Sequence, residues 1–416
     1  MKIQKESSIM NSYQPKELPV VPSYNNFELQ SVGTFEKELS LLGSQWNFID
    51  HVSSYKNVGD YKVHEFLDES IIIVKTKNGF RSFINFCSHR GSVLCTSAQG
   101  NKKSFVCPYH NWTFDLEGNL KHAPAFPTAT DSPEKHKLKS IQINEIEGLL
   151  FVGLENDHMV RFDDVKDALA PLFAWQGLKE SKIAHKRSYR IKANWKMAVD
   201  NFFECYHCYA NHPEMCELFI HPNITATDVA HKNMKFLDVW QTWTKATQLL
   251  GHPTGGIEGI DPEVDQFNVI YRTPLNVDAK SYGKNGAALA PLMGKYKTFD
   301  NGETFGYSGA LLQFSMPNDH AYMAKLNPIS VNETEIELFW FVDKSAEEGI
   351  DYNIDELTCF WDTTVQQDIV AIERAAKGSK SKYYKPGNYT KLEKDSARFA
   401  LWYRRKMAQI SDIRII

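Results

Sequence analysis

Residues 85–95 read NFCSHRGSVLC and residues 107–120 read CPYHNWTFDLEGNL. They contain Cys87-Ser88-His89 and, seventeen residues further on, Cys107-Pro108-Tyr109-His110. Each stretch presents one thiolate and one imidazole at close spacing, so two such loops facing each other supply two Cys and two His. Zinc accepts that donor set. The C-x-H and C-x-x-H spacings differ from the usual zinc ones, and they also suit a [2Fe–2S] centre in which two histidines replace two cysteines on one iron.

Outward from these loops the sequence is a series of short strands. SIIIVKT at 70–76 and RSFINF at 81–86 are apolar or alternating, with Asn78-Gly79 as a turn signal between them. SFVC at 104–107, WTFD at 112–115 and GLLFVGL at 148–154 continue the pattern, and Glu117-Gly118 supplies another turn. Residues 46–154 therefore predict a small all-β domain.

The whole chain has 416 residues, more than one hydrophobic core usually serves, which predicts two domains. Hydrophobic residues at 42% and charged residues at 24% are ordinary for a globular protein, and a net charge of -4 predicts neither a nucleic-acid nor a membrane partner. No apolar run approaches the roughly 20 residues of a membrane span, and the polar start MKIQKESSIMNSYQPKE lacks the apolar core of a signal peptide, so the expected location is cytoplasmic. Seven cysteines, an odd number, argue against a disulfide framework. The first 25 or so residues, with Pro15, Pro19 and Pro22, read as an extended arm, and FEKELSLLGSQW at 35–46 as a docking helix.

A second group of donors lies in NWKMAVDNFFECYHCYANHP, residues 194–213. Asp200, Glu204 and His207 are spaced i, i+4, i+7, which predicts one face of one helix. His212 precedes Pro213, which disfavours the α region before it, so the helix is expected to end there and turn the His212 ring back toward His207. Two imidazoles and a carboxylate suit a mononuclear Fe(II) with open positions for oxygen. Two histidines with ordinary hydrogen bonds would read the same from this stretch alone.

The two opening stretches resemble the cluster-binding loops of Rieske proteins, down to the Arg-Gly after His89 and Trp112 two residues after His110. The resemblance implies that Cys87 and Cys107 bind one iron and His89 and His110 the other. Cys95 has no counterpart among the ligands and reads as a buried thiol; the Cys107 loop offers no cysteine to pair with it, which favours the oxygenase branch over the cytochrome bc type. Such a domain followed by NWK and DNFFECYHCYANHP is similar to the oxygenase (alpha) component of Rieske non-haem iron oxygenases along nearly the full chain. That similarity implies that His207 and His212 ligate mononuclear iron and that a later carboxylate completes the site. It also implies that Glu204 bridges a cluster histidine of one subunit and an iron-ligand histidine of its neighbour in a homotrimer. Asp200 is expected to support Glu204, with a helix-surface or capping role as the alternative.

The later carboxylate is sought in DELTCFWDTTVQQDIVAIERAAKG, residues 355–378, which reads as a helix. Trp361, Val365, Asp368 and Ile372 form an apolar stripe that Asp368 interrupts, and a buried carboxylate needs a specific partner. That partner is either iron or a cation such as Arg374. Asp362 lies off the stripe and is the weaker candidate. The expected fold is α+β: an N-terminal arm and helix over 1–44, an all-β Rieske domain over 45–160, and a helix-grip-like antiparallel sheet with helices over 161–416. Between the iron-ligand segments, Phe219, Trp240, Trp243, Phe267, Tyr271, Tyr307, Phe314 and Tyr322 are core or pocket, with roughly two to four facing substrate. Gly255-Gly256 and residues 275–303 read as loops over the entrance.

DNFFECYHCYANHPE is similar to quaternary ammonium oxygenases of the carnitine and glycine betaine types, with Glu204 rather than Asp as the bridging acid. The segment from 347 to 393 looks most like the glycine betaine type, in which one N-methyl group is hydroxylated and lost as formaldehyde. An aromatic cage would select the cation. Oxygenation of an aromatic ring on the same scaffold is the alternative, and a Rieske protein confined to electron transfer the remote one. No G-x-G-x-x-G fingerprint follows a strand, so NAD(P)H and flavin are expected only on a separate reductase, itself carrying an iron-sulfur cluster.

Overall fold

In the computed structural model, which describes residues 19–126, 131–154, 159–219, 229–259, 266–276 and 278–411, the chain enters through two capped helices. Residues 1–18 of the expected arm, including Pro15, lie outside the described ones. Asn25 and Glu28 cap α1 (Asn26–Gln30) reciprocally, and Ser31 caps α2 (Val32–Gly43). Glu38 of α2 is fully buried, paired with Lys196 at 2.5 Å and hydrogen-bonded by Trp195 Nε1 and the Tyr403 hydroxyl. The N-terminal helix thus docks on the helices that carry the second half of the chain.

The strands β1 (Asn47–His51), β2 (Asp60–Phe66), β3 (Glu69–Thr76), β4 (Gly79–Ile84), β5 (Gln99–Asn101), β6 (Phe105–Val106), β7 (Thr113–Phe114), β8 (Leu120–His122), β9 (Gln142–Ile146) and β10 (Leu149–Gly153) follow. They form antiparallel sheets in the orders β4-β3-β2-β5, β6-β7-β8 and β1-β10-β9. Gly79 closes the β3–β4 turn at φ 106°, a conformation that suits glycine. The continuous apolar run of β3 has a packing reason. Ile72 and Val74 enter the core beneath the Cys/His loops, while Ile71 and Ile73 enter the core shared with the rest of the chain.

Next come α3 (Phe162–Gln176), β11 (Ser181–Ile191), α4 (Trp195–Phe202), α5 (Cys208–Asn211), α6 (Pro213–Leu218), α7 (Val229–Leu249) and β12 (Gly256–Gly259). After them come β13 (Asn268–Pro274), β14 (Gly302–Ser308), β15 (Leu312–Met316), β16 (Ala321–Ser330), β17 (Glu333–Asp343), α8 (Ile354–Ser379) and α9 (Lys394–Ser411). Seven strands make one antiparallel sheet, ordered β11-β17-β16-β15-β14-β13-β12. Gly256 belongs to its edge strand rather than to a covering loop; a Cβ there would lie 2.4 Å from the Ile270 carbonyl oxygen.

The period-2 alternation of strands gives this sheet two different faces. Phe314, Met323, Phe339 and Phe341 pack on α3 and β1, as in the Phe173–Phe314 and Phe48–Phe339 contacts at 5.2 and 5.0 Å. Phe314 is therefore core and not pocket. Trp240 and Trp243 pack with Phe236 on α7. The opposite face carries Tyr322, cross-strand from Trp340 and Ser315, and receives α8 through a Tyr322–Trp361 stack at 4.4 Å. Asn353 caps α8, whose buried residues include the predicted stripe Trp361, Val365, Asp368 and Ile372.

Candidate metal centres

The two Cys/His loops are closed by the same pair of backbone bonds. Cys87 N–H donates to Ser92 O and its own carbonyl accepts from Gly91; Cys107 N–H donates to Trp112 O and its carbonyl accepts from Asn111. Both cysteines are buried, His89 is exposed and His110 partly so. The His89 and His110 rings lie 4.8 Å apart, and Trp112 stacks on His89 at 4.4 Å. Burial, with the neighbouring Cys107 adding to it, pushes the Cys87 thiol up to about 11. A thiol raised in this way gives up its proton readily only beside a cation, which a pair of irons supplies, so this donor set fits a [2Fe–2S] cluster. Cys95 is a buried free thiol, as expected.

The second centre forms differently from the single helix face that the spacing suggests. Asn194 caps α4, which ends at Phe202, so Asp200 lies on the helix and Glu204 beyond it. The reason is local: the Glu204 carboxylate caps the next turn, accepting from the backbone N–H groups of Tyr206 and His207. Cys205 and Cys208 in that turn are joined by a disulfide, their Cα atoms 5.0 Å apart. It is a local bond rather than a framework, and the cysteine count could not reveal it. His212, at φ -128° and ψ 69°, leaves the α region before Pro213 as expected, and Pro213 starts α6.

His207, His212 and Asp368 meet. Asp368 Oδ1 lies 3.1 Å from His207 Nε2 and 2.9 Å from His212 Nε2, and the imidazole rings are 5.1 Å apart. His207 Nδ1 faces Glu204 Oε1 at 2.6 Å, and His212 Nδ1 faces Gln367 Oε1 at 2.7 Å. These acceptors assign the proton of each ring to Nδ1 and turn both Nε2 lone pairs toward Asp368. Three acceptors converging on one point need a shared proton or a cation, and a divalent metal satisfies all three. Burial would lower the His207 imidazole, but Asp368 and Glu204 outweigh it and raise it to about 10, so the shared proton sits on this ring unless a metal takes its place on Nε2. Burial would likewise raise the Asp368 carboxyl, but the two histidines hold it below its ordinary value.

Asp362 is not part of this group: it pairs with Arg187 and accepts from the Tyr189 hydroxyl on β11. Asp200 accepts from the Tyr389 hydroxyl at 2.9 and 2.7 Å, and the Glu204 carboxylate acts on it only through its charge. Burial pushes its carboxyl well above the usual carboxylate range, and its free surface lines a cavity of about 230 Å³ also bounded by Tyr24, Asn201, Glu204 and Glu393. Two residues escaped the sequence reading. Asn201 Nδ2 lies 3.3 Å from His207 Nε2, and Gln367 orients His212. The adjacency of Gln367 to Asp368 was the only available signal for the second.

Two candidate iron sites on one chain, one of Cys and His and one of His and Asp, fit the donor sets of an iron-dependent oxygenase. Residues 45–142 match the Rieske [2Fe-2S] domain family and residues 178–409 the ring hydroxylating alpha subunit (catalytic domain) family. The chain belongs to that second family and is the terminal oxygenase component of a Rieske non-haem iron system, with a [2Fe–2S] cluster, a mononuclear iron and O₂ as co-substrate. It is 30% identical over 395 residues, 92% of this chain and 84% of the relative, to the glycine betaine monooxygenase oxygenase subunit of Chromohalobacter salexigens. It is 32% identical over 202 residues, 48% of this chain and 54% of the relative, to the carnitine monooxygenase oxygenase subunit of Escherichia coli. Among solved structures, the quaternary ammonium Rieske monooxygenase CntA with an inhibitor aligns with a TM-score of 0.69 at 19% identity, covering 95% and 99% of the two chains. Naphthalene 1,2-dioxygenase from Rhodococcus sp. aligns with a TM-score of 0.65 at 18% identity, covering 92% and 93%. The family works with a separate reductase on small substrates. No helix among the described residues is long and apolar enough to cross a membrane.

Proposed function

We propose that this chain N-demethylates a small quaternary ammonium compound, with glycine betaine as the best match. Similarity to a glycine betaine monooxygenase oxygenase subunit over 92% of the chain carries the reading. When bound, the two iron groups supply stored electrons and O₂ activation. One N-methyl group gains oxygen, and the N-hydroxymethyl product releases formaldehyde and a proton to leave a tertiary amine.

In this reading Cys87 and Cys107 hold one cluster iron, His89 and His110 the other, and His207, His212 and Asp368 hold the mononuclear iron. Glu204 fixes the His207 ring and is the conduit toward a cluster histidine of a neighbouring subunit in a homotrimer. The exposed His89 and the cavity beside Glu204 support that role. Asp200 supports the cavity wall through Tyr389. The division into 1–44, 45–160 and 161–416, a flavin and iron-sulfur reductase as partner, and a cytoplasmic location belong to the same reading.

A single turnover tests it without the reductase. Chemically reduced protein is mixed with oxygen and glycine betaine, carnitine, choline or an aromatic acid, while cluster reoxidation and formaldehyde are followed together. Fast reoxidation with formaldehyde from one of the amines is expected. Stimulation by the aromatic acid alone, with a hydroxylated ring as product, would replace the substrate class and leave the fold and iron sites intact.

A further inference from the structure

The turn that carries one candidate iron ligand also carries a bonded pair of cysteines that the reaction so far does not use. Cys205-Tyr206-His207-Cys208 is a C-x-x-C sequence enclosing His207, and its two sulfurs are joined. Cys208 is buried, whereas Cys205 is half-buried beside the exposed Tyr206. Two other thiols in this half of the chain are free. Cys216 is half-buried and donates to the Cys208 carbonyl oxygen at 3.7 Å, and Cys359 is exposed.

Cys208 faces the metal site. Its Sγ lies 4.0 Å from His207 Nε2, the ring nitrogen turned toward Asp368, and the donor atoms of His207, Cys208 and His212 all fall within 4.8 Å of one another. Iron held by two histidines and one carboxylate keeps open positions for O₂, so a sulfur at this distance borders the space in which oxygen is reduced. An oxidisable sulfur there, with a second cysteine already within bonding reach and nearer to solvent, has the arrangement of a peroxide-reactive cysteine and its resolving partner.

We propose that Cys208 and Cys205 trap hydrogen peroxide released at the mononuclear iron, and that the disulfide is the oxidised product of that trap. The assignment rests on the mononuclear iron reading above. Peroxide arises when two stored electrons and two protons reduce O₂ with no substrate to oxygenate. The Cys208 thiol attacks it: an S–O bond forms, the O–O bond breaks, and water departs to leave a sulfenic acid on Cys208. The Cys205 thiol then attacks that sulfur, forming the S–S bond and breaking the S–O bond with loss of a second water. The pair gives up two electrons and the peroxide takes them. A dithiol reductant restores both thiols by exchange at the more accessible Cys205 sulfur and itself becomes a disulfide. Oxidation thus falls on a bond that can be restored, and the His207 ring beside it is spared.

Peptide mass measurement after oxygen reduction without substrate tests this. The pair is opened with dithiothreitol, and the metal-loaded protein is reduced chemically and freed of excess reductant. O₂ is then admitted, with catalase present to destroy peroxide that reaches solution, until the cluster absorbance of the oxidised protein returns. Thiols are alkylated at once, and the peptide holding Cys205 and Cys208 is weighed. Both its thiols are expected to be lost to a disulfide in most chains while Cys216 and Cys359 stay alkylated, and Cys205→Ser should stop at a dimedone-reactive sulfenic acid on Cys208. A pair left fully alkylated, or an unmodified Cys208 in Cys205→Ser, overturns the trap. So does a disulfide that forms only without catalase, that spreads equally to Cys359, or that forms equally after a chelator has removed the mononuclear iron. The same protein given the amines and the aromatic acid named above tests the iron reading separately: oxygenated product without trapping in the substrate-free run sinks the trap alone, and no product from any of them removes the iron reading and the trap with it.

Discussion

The four candidate cluster donors, Cys87, His89, Cys107 and His110, come from two neighbouring loops, each closed by its own backbone bonds. The candidate mononuclear donors come from segments up to 161 residues apart, brought together where α8 packs against α4 and α6. The first arrangement makes a rim, with cysteines inside and a histidine outside. The second is an interior junction whose geometry depends on packing far from the metal. Damage to the first should therefore stay in its own domain, whereas the second should be open to damage from a distance.

The widest separation is expected from the proposed ligands themselves. His89→Ala or Cys107→Ala should abolish the visible absorbance of the cluster and remove about two irons per chain, whereas Asp368→Ala should keep the absorbance and lose about one. Turnover should vanish in each. Mixing His89→Ala with Asp368→Ala subunits under conditions that allow exchange then probes the path between the centres. Recovered formaldehyde production is expected from transfer across subunits, and none would confine it to one chain.

Remote damage is sharpest at Glu38. Truncating one side of the buried Glu38–Lys196 pair leaves a charge unpaired, which costs about 3–5 kcal/mol. Glu38→Ala should lower the melting temperature and the mononuclear iron content while the cluster absorbance at low temperature stays unchanged. A cluster lost in parallel would erase the contrast between the two regions.

Smaller effects come from groups that orient the ligands. Gln367→Ala frees the His212 ring and should weaken iron binding about 10- to 100-fold by competition with a chelator. Glu204→Gln should retain both metals and the capped turn yet block turnover after cluster reduction, so its iron content, unlike its rate, should match the wild-type protein. Unimpaired cluster reoxidation would remove Glu204 from the transfer path.

The smallest is a pH effect on stability. Burial on β14 makes Glu303 hold its proton to about pH 7 when folded, above the ordinary value of an unfolded Glu. The native state therefore binds more protons across that window, and stability falls as pH rises from the unfolded value through about 7. Thermal melts from pH 5 to 8 should show the wild-type protein losing a few degrees more than Glu303→Gln; equal slopes would contradict the raised carboxyl.

Sequence alone determined the parts whose geometry is local. The Cys/His loops were legible because their turns span only a few residues. His212 was legible because Pro213 forbids helix before it, and Asp368 because a carboxylate on a buried stripe must be met by a partner. Tertiary structure decided what depends on competition or on register. The Glu204 carboxylate captured the next turn's N–H groups and broke the helix that i, i+4, i+7 spacing implied. Cys205 and Cys208 came within bonding reach in that same turn. Phe314 and Tyr322 look alike in sequence, yet they enter two different cores, one against α3 and the other under α8, because cross-strand pairing assigns side chains to opposite faces of the sheet. Glu303 could be found only there, since nothing near it in sequence shows that Tyr282 and Ser315 converge on its carboxylate.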